Sequence, residues 1–168
     1  MIDLARLASV ELFRNFDERA LSGIASFMTA QRFEDGDLVV EQGSREGGCY
    51  IILSGQVRVF RTTPDGSAVD LLTLGEGAFF GLLTAIDGLP RAASGAAVGE
   101  VEVAELSLSA FSELLDGRSP VALRFQLAIC QELIKDIRGA NHRLAELASL
   151  PSQSVSMVDL GGALSSQT

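Results

Sequence analysis

The stretch LGEGAFFGLLTAIDGLPRAASGAAV, residues 74–98, decides how the rest of the chain is read. It begins as a strand, breaks at glycines, and passes through one short helical turn predicted over Leu82 to Asp87. A single arginine, Arg91, follows Gly88-Leu89-Pro90 and precedes the small run Ala92-Ala93-Ser94-Gly95-Ala96. Small side chains after an arginine let a ligand lie close to the backbone. Gly81, just before the helical turn, leaves backbone N–H groups of Leu82 and Leu83 free at a helix N-terminus, where an anion is welcome. A guanidinium facing such a terminus is a phosphate clamp. The stretch reads as an anion pocket.

Outward from it, the pattern is one of short strands and glycine turns. Upstream, Ile2 to Met28 is predicted as two short helices, with Asp17 capping the second and Leu21, Ile24, Ala25 and Met28 facing inward. Phe33 to Asp37 is a turn, Leu38-Val39-Val40 a strand, and Gly43 a second turn. Cys49-Tyr50-Ile51-Ile52-Leu53 is a continuous apolar run of β-formers, expected to be a buried strand. Ser54-Gly55 is predicted to turn the chain into the alternating strand from Gln56 to Arg61. Pro64-Asp65-Gly66 turns it again into Val69 to Leu74. Downstream, Glu100 to Leu106 alternates, with its glutamates expected to face water. Strands spaced in this way indicate a β-sandwich, barrel or jelly roll.

The C-terminal part is helical. Ser109 is the expected cap of a helix through Phe111, Leu114 and Leu115 to Gly117, and Pro120 opens a long helix to about Leu150. Along it, Leu123, Leu127, Cys130, Ile134, Ile137, Asn141, Leu144 and Ala148 alternate in steps of four and three, a heptad seam. Val121, Phe125 and Ile129 form a second apolar face that would lie on the β-domain. Two apolar faces on one helix predict that one packs at home and the seam takes a second copy.

Composition bounds the function. A chain of 168 residues has room for one core and an appendage, and 47% hydrophobic residues fit a packed domain. Thirteen basic and 22 acidic residues give a formal charge of −9, which argues against nucleic acid as a direct partner. No apolar run is long enough to span a bilayer, and the N-terminus lacks a signal peptide's apolar segment. With Cys49 and Cys130 as the only cysteines, the expectation is a reduced, cytoplasmic protein that is not membrane-bound. One histidine, His142, on a charged helix face beside Arg143, supplies neither a metal site nor a catalytic triad. No enzyme activity, cofactor or metal is expected.

Phe80-Gly81, the ten-position step to Arg91, and the quartet Pro90-Arg91-Ala92-Ala93 resemble the phosphate-binding cassette of cyclic-nucleotide-binding sensor domains, the catabolite-activator-like family. Gly36, Gly43, the Tyr50-to-Val59 segment with Gly55, and Gly75 occur in the order that family has, so the resemblance covers roughly residues 10 to 148. It implies an α+β, mainly β fold: a double-stranded β-helix (a jelly-roll β-roll) with N-terminal helices and a long C-terminal dimerisation helix. The expected division is 1–118 for the roll with its flanking helices, 119–150 for the dimer helix, and 151–168 for a disordered tail or short partner-binding segment. The tail is too short for the helix-turn-helix that follows the dimer helix in transcription factors of this family.

The resemblance also assigns roles. Arg91 would hold a cyclic phosphate, Gly81 with the amides of Leu82 and Leu83 would complete the anion site, and Ala92 and Ala93 would offer backbone contact and room. The sequence departs from the family at Leu82, which stands where a glutamate holds the ribose 2′-hydroxyl. Losing that charged acceptor costs about 1.5–3 kcal/mol. Two roles fit Asn141: fixing register inside the seam, and, with Ala140, reaching the base of a bound nucleotide, whose edge an amide can read. The expected function is a stand-alone regulatory sensor for cyclic AMP, cyclic GMP or a related phosphate ligand, dimeric and signalling to a protein effector. The alternative is a degenerate domain that binds no nucleotide and serves as a dimerising scaffold.

Overall fold

The computed structural model describes residues 2–149, so the predicted tail and Leu150 lie outside the described residues. In chain order the elements are α1 (Leu4–Ser9), a 3-10 turn (Glu11–Phe13), α2 (Glu18–Ala25), β1 (Met28–Phe33), β2 (Leu38–Val40), β3 (Gly48–Thr62), β4 (Ala68–Leu74), β5 (Phe79–Phe80), α3 (Leu82–Asp87), β6 (Ser94–Ser107), α4 (Leu108–Asp116) and α5 (Pro120–Ser149). This is the expected jelly-roll β-roll with flanking helices.

Two long strands carry the roll. β3 and β6 pair antiparallel from Gly48↔Ser107 to Phe60↔Ser94, β1 lies on the other side of β6, and β4 forms the far edge beside β3. β2 pairs with the start of β6 and β5 with the start of β3. Val39, Tyr50, Ile52, Val57, Ala97, Val101 and Val103 fill the interior. They come from alternating positions of these strands, as a one-sided sheet requires.

Four expectations change. Met28 does not close a helix but begins β1, its backbone paired with Leu106. Ser54-Gly55 does not end a strand. The β3–β6 register shifts on either side of Ser54, and Gly55 takes φ 87° with no room for a Cβ, which would sit 2.4 Å from the Glu100 carbonyl oxygen. A bulge bends a strand without ending it, so one continuous strand serves both halves of the roll. The cap of α4 is Ser107, two residues earlier than expected, its hydroxyl accepting from Ala110 N–H at 3.2 Å. Of the β6 glutamates only Glu100 is freely exposed: Glu102 pairs with Arg6 at 3.0 Å, and Glu105 is half-buried against Tyr50 and Gln31.

The described residues up to Glu132 form one compact unit, and those from Leu133 to Ser149 belong to a second. Within the first, α5 packs close because glycines make room. A Cβ on Gly23 would lie 2.9 Å from Val121 Cγ2, and one on Gly117 2.8 Å from Ala122 Cβ. Phe125 meets Phe111 edge to face at 5.8 Å, and Phe125 and Ile129 are buried as the second apolar face predicts. Gln126 Nε2 donates to the carbonyls of Leu114, Leu115 and Gly117 at 2.7–3.1 Å, satisfying the end of α4. The seam faces outward in the single chain: Leu123, Leu127, Ile134, Ile137 and Leu144 are each more than half exposed, and Cys130 is exposed. No helix among the described residues is long and apolar enough to cross a membrane.

Candidate ligand-binding site at Arg91

α3 is short because its ends are set by glycine. Gly81, at φ 84°, starts it, and Gly88, at φ 67°, ends it with its N–H donating to the Thr84 carbonyl. The left-handed conformation at both ends costs glycine nothing and other residues about 1–2 kcal/mol. Pro90 then prevents re-entry into helix, and Arg91 follows in an irregular segment that bends at Ala92-Ala93 before β6.

Arg91 is fixed twice. Its backbone N–H donates to the Ser44 carbonyl at 2.8 Å and its carbonyl accepts from Gly43 N–H at 2.9 Å. Its side chain is 5% exposed. There Nη1 donates to the Gly81 carbonyl at 3.1 Å, and Nη2 to the carbonyls of Gly48 at 2.6 Å and Glu46 at 3.2 Å. The guanidinium carbon lies 5.8 Å from the centre of the Tyr50 ring, which stacks on Phe80 at 5.3 Å. Among the described residues no carboxylate pairs with this cation. Its Nε is buried without a hydrogen-bond partner.

The remaining predicted residues divide around it. Gly81 is in direct contact with Arg91, and a Cβ there would stand 2.6 Å from Nη1. Leu82 is buried at 6% exposure, whereas Leu83 is 65% exposed. Ala92 is exposed and Ala93 half-buried. Ser94, buried, accepts from Gln42 N–H at 2.9 Å and ties the start of β6 to the loop before Gly43. Ala140 and Asn141 belong to the second unit, Ala140 half-buried and Asn141 exposed. His142 faces Glu146 at 3.3 Å on the exposed side of α5.

Cys49 lies directly behind the turn, its thiol 3.8 Å from the Gly81 carbonyl oxygen. Burial pushes that thiol up to about 12, against the opposing pull of the Arg91 charge. Tyr50 is likewise raised, chiefly by burial.

The sequence reading missed Glu46, Gly48, Tyr50 and Glu105 as parts of the site. A signal was present in the Gly47-Gly48 pair. A Cβ on Gly48 would stand 2.1 Å from the Leu106 carbonyl oxygen, and one on Gly47 2.3 Å from the Tyr50 hydroxyl. Paired glycines ahead of a buried strand mark a close backbone approach.

Comparison with known proteins agrees with this geometry. The cyclic nucleotide-binding domain family matches residues 30–118, from β1 through α4 and so including the whole Arg91 site. The CRP-like cAMP-activated global transcriptional regulator of Mycobacterium tuberculosis is 26% identical over 141 residues, 84% of this chain and 61% of that protein. The cAMP-dependent protein kinase type II regulatory subunit of Drosophila melanogaster is 33% identical over 110 residues, 65% of this chain but 29% of the subunit. Among solved structures, the Thermus thermophilus catabolite activator protein superposes with a TM-score of 0.67 at 28% identity, over 82% of this chain and 62% of that one. The chain therefore spans less than two thirds of each of these relatives. With the family matched over more than half its length and the roll and its buried arginine in place, the chain belongs to the cyclic nucleotide-binding domain family.

Proposed function

We propose that this domain is a cytoplasmic, non-catalytic regulatory sensor that binds a cyclic nucleotide or related cyclic phosphate at Arg91, and signals through α5 to a partner protein. One observation carries the reading: a guanidinium 5% exposed, held by three carbonyl oxygens and the Tyr50 ring with no carboxylate partner among the described residues, and with Nε unpartnered. Buried charges are ordinarily paired, because desolvating one alone costs several kcal/mol. A ligand phosphate supplies the missing anion.

The same contacts suggest how binding becomes a signal. Nη1 of Arg91 holds the Gly81 carbonyl at the start of α3. An anion that competes for the guanidinium loosens that hold, so the ligand prefers a different position of α3. Such a difference in affinity between two arrangements is what a ligand needs to shift their populations. α5 gives the output: its inner face packs on α4 through Phe125 against Phe111, and its exposed seam suits a second copy of the chain.

A scaffold without ligand is favoured by two specific features. Leu82 is an apolar side chain where the resemblance calls for an acceptor, and Arg91 already holds three carbonyls together as a structural staple.

Thermal unfolding separates the readings. Wild type, Arg91→Ala and Arg91→Lys are heated with cyclic AMP, cyclic GMP or cyclic dinucleotides at millimolar concentration. A working pocket at a hundred times its Kd gains about 2.7 kcal/mol, a shift of several degrees. The shift should vanish in Arg91→Ala and shrink in Arg91→Lys, which keeps the charge but not the fork. No shift of the wild type with any of these ligands selects the scaffold.

A further inference from the structure

We infer that Tyr50 and Glu105 are positioning residues that hold the Arg91 guanidinium in its binding orientation, an inference resting on the reading of Arg91 as the ligand-binding group. The tightest partner of Arg91 is the Gly48 carbonyl, at 2.6 Å from Nη2. The N–H of that same glycine donates to the Tyr50 hydroxyl at 3.2 Å. The hydroxyl in turn donates to Glu105 Oε1 at 3.3 Å, and Gln31 Nε2 donates to the other carboxylate oxygen. Each group is used once in the right sense: amide to hydroxyl oxygen, hydroxyl proton to carboxylate, side-chain amide to carboxylate.

Strand pairing builds the chain of bonds. Tyr50 and Glu105 are cross-strand partners on β3 and β6, so the carboxylate reaches the ring's tip without distortion. The ring itself cannot swing, being 4% exposed and stacked on Phe80. Gly47 leaves the space the hydroxyl occupies, since a Cβ there would stand 2.3 Å from it. A rigid phenol anchored at its far end therefore holds the 47–48 peptide by its N–H, and strand pairing with Ser107 holds Gly48 itself. The carbonyl of Gly48, one peptide further on, points at Nη2. Glu105 touches no part of the guanidinium among the bonds described; it acts on Arg91 through Tyr50 and Gly48.

The test reads Arg91 directly, with no ligand present. In the 168-residue chain the Arg91 Nε–Hε resonance is identified by its loss in Arg91→Lys. Tyr50→Phe keeps the ring and removes the hydroxyl. It should move the Arg91 resonance and speed its Hε exchange about tenfold, while the Nε–Hε signal of Arg124, bound to Asp17 elsewhere, stays unchanged. Glu105→Ala should reproduce the effect. Glu105→Gln, whose amide oxygen still accepts from the phenol, should restore the wild-type signal.

An unaltered Arg91 signal in Tyr50→Phe overturns the inference. So does a change in which Arg91 and Arg124 move together, since that reports general loosening. Titration with cyclic AMP forms a separate arm, expected to weaken about three- to tenfold in Tyr50→Phe. If the wild type takes up no cyclic AMP, that arm counts against a cyclic AMP pocket, and the Arg91 resonance still decides the positioning role.

Discussion

Nη1 of Arg91 donates to the carbonyl oxygen of Gly81 at 3.1 Å, joining a buried cation of the β-roll to the residue that starts α3. The two are ten positions apart, close enough for local sequence to fix the geometry, and they define both the candidate site and its link to α3. Whatever disturbs one of them disturbs the other.

Gly81→Ala tests that link. The new methyl group would stand 2.6 Å from Arg91 Nη1 and 2.8 Å from the Gly48 carbonyl oxygen, on a backbone at φ 84°. Strain at such a position costs about 1–3 kcal/mol, and the guanidinium must give way. Urea unfolding should show that loss, and any ligand-induced stabilisation should fall with it. A variant as stable as wild type would mean that α3 can start in another way.

Cys49 gives the stability curve a feature on the alkaline side. Its thiol is raised by burial from 9.0 to about 12 in the folded protein, with the Arg91 charge opposing the shift. In the unfolded chain it ionises near pH 9, while the folded form keeps its proton. The unfolded state thus binds fewer protons between about pH 9 and 12, and stability falls with rising pH across that window by about 1.4 kcal/mol per unit, with no effect below it. Cys49→Ala lacks this dependence but loses packing at every pH. The stability gap between wild type and Cys49→Ala should therefore be constant at pH 6–8 and narrow above pH 9 in denaturant titrations. A gap that does not change up to pH 11 would show that the thiol is solvated.

The seam on α5 predicts association. Leu127, Ile137 and Leu144 are each at least 60% exposed in the single chain, and Ile134 is 51% exposed. Sedimentation equilibrium should give twice the chain mass, and Ile134→Asp should return it to one chain with the far-UV spectrum of the β-roll preserved. Asn141→Ile, which replaces a polar seam residue by a β-branched one, should stabilise the assembly while broadening its size distribution. An Ile134→Asp variant of unchanged mass would remove the seam as the dimer interface.

The division between what sequence determined and what folding decided follows from distance along the chain. Asp17 caps α2 through Ala20 N–H, and Gly88 closes α3 through the Thr84 carbonyl. Contacts this short are written in neighbouring residues, so α3 from Leu82 to Asp87, the turn at Pro64 and the start of α5 at Pro120 could all be read directly. Arg91 could be singled out for the same reason, from its spacing to Gly81.

Its partners could not. Glu46 and Gly48 lie 45 and 43 residues from Arg91, and Tyr50 meets Glu105 across 55 residues. Met28 to Phe33 carries no strong strand pattern, and it becomes β1 only because β6 offers its backbone from Leu106 to Val101 as a partner. Ser54-Gly55 reads as a turn until the paired strand shows that it is a bend in one long strand. Local propensity fixes where helices and turns begin and end. Strand pairing and burial depend on residues far along the chain, and they alone brought the distant carbonyls of Glu46 and Gly48 to the arginine.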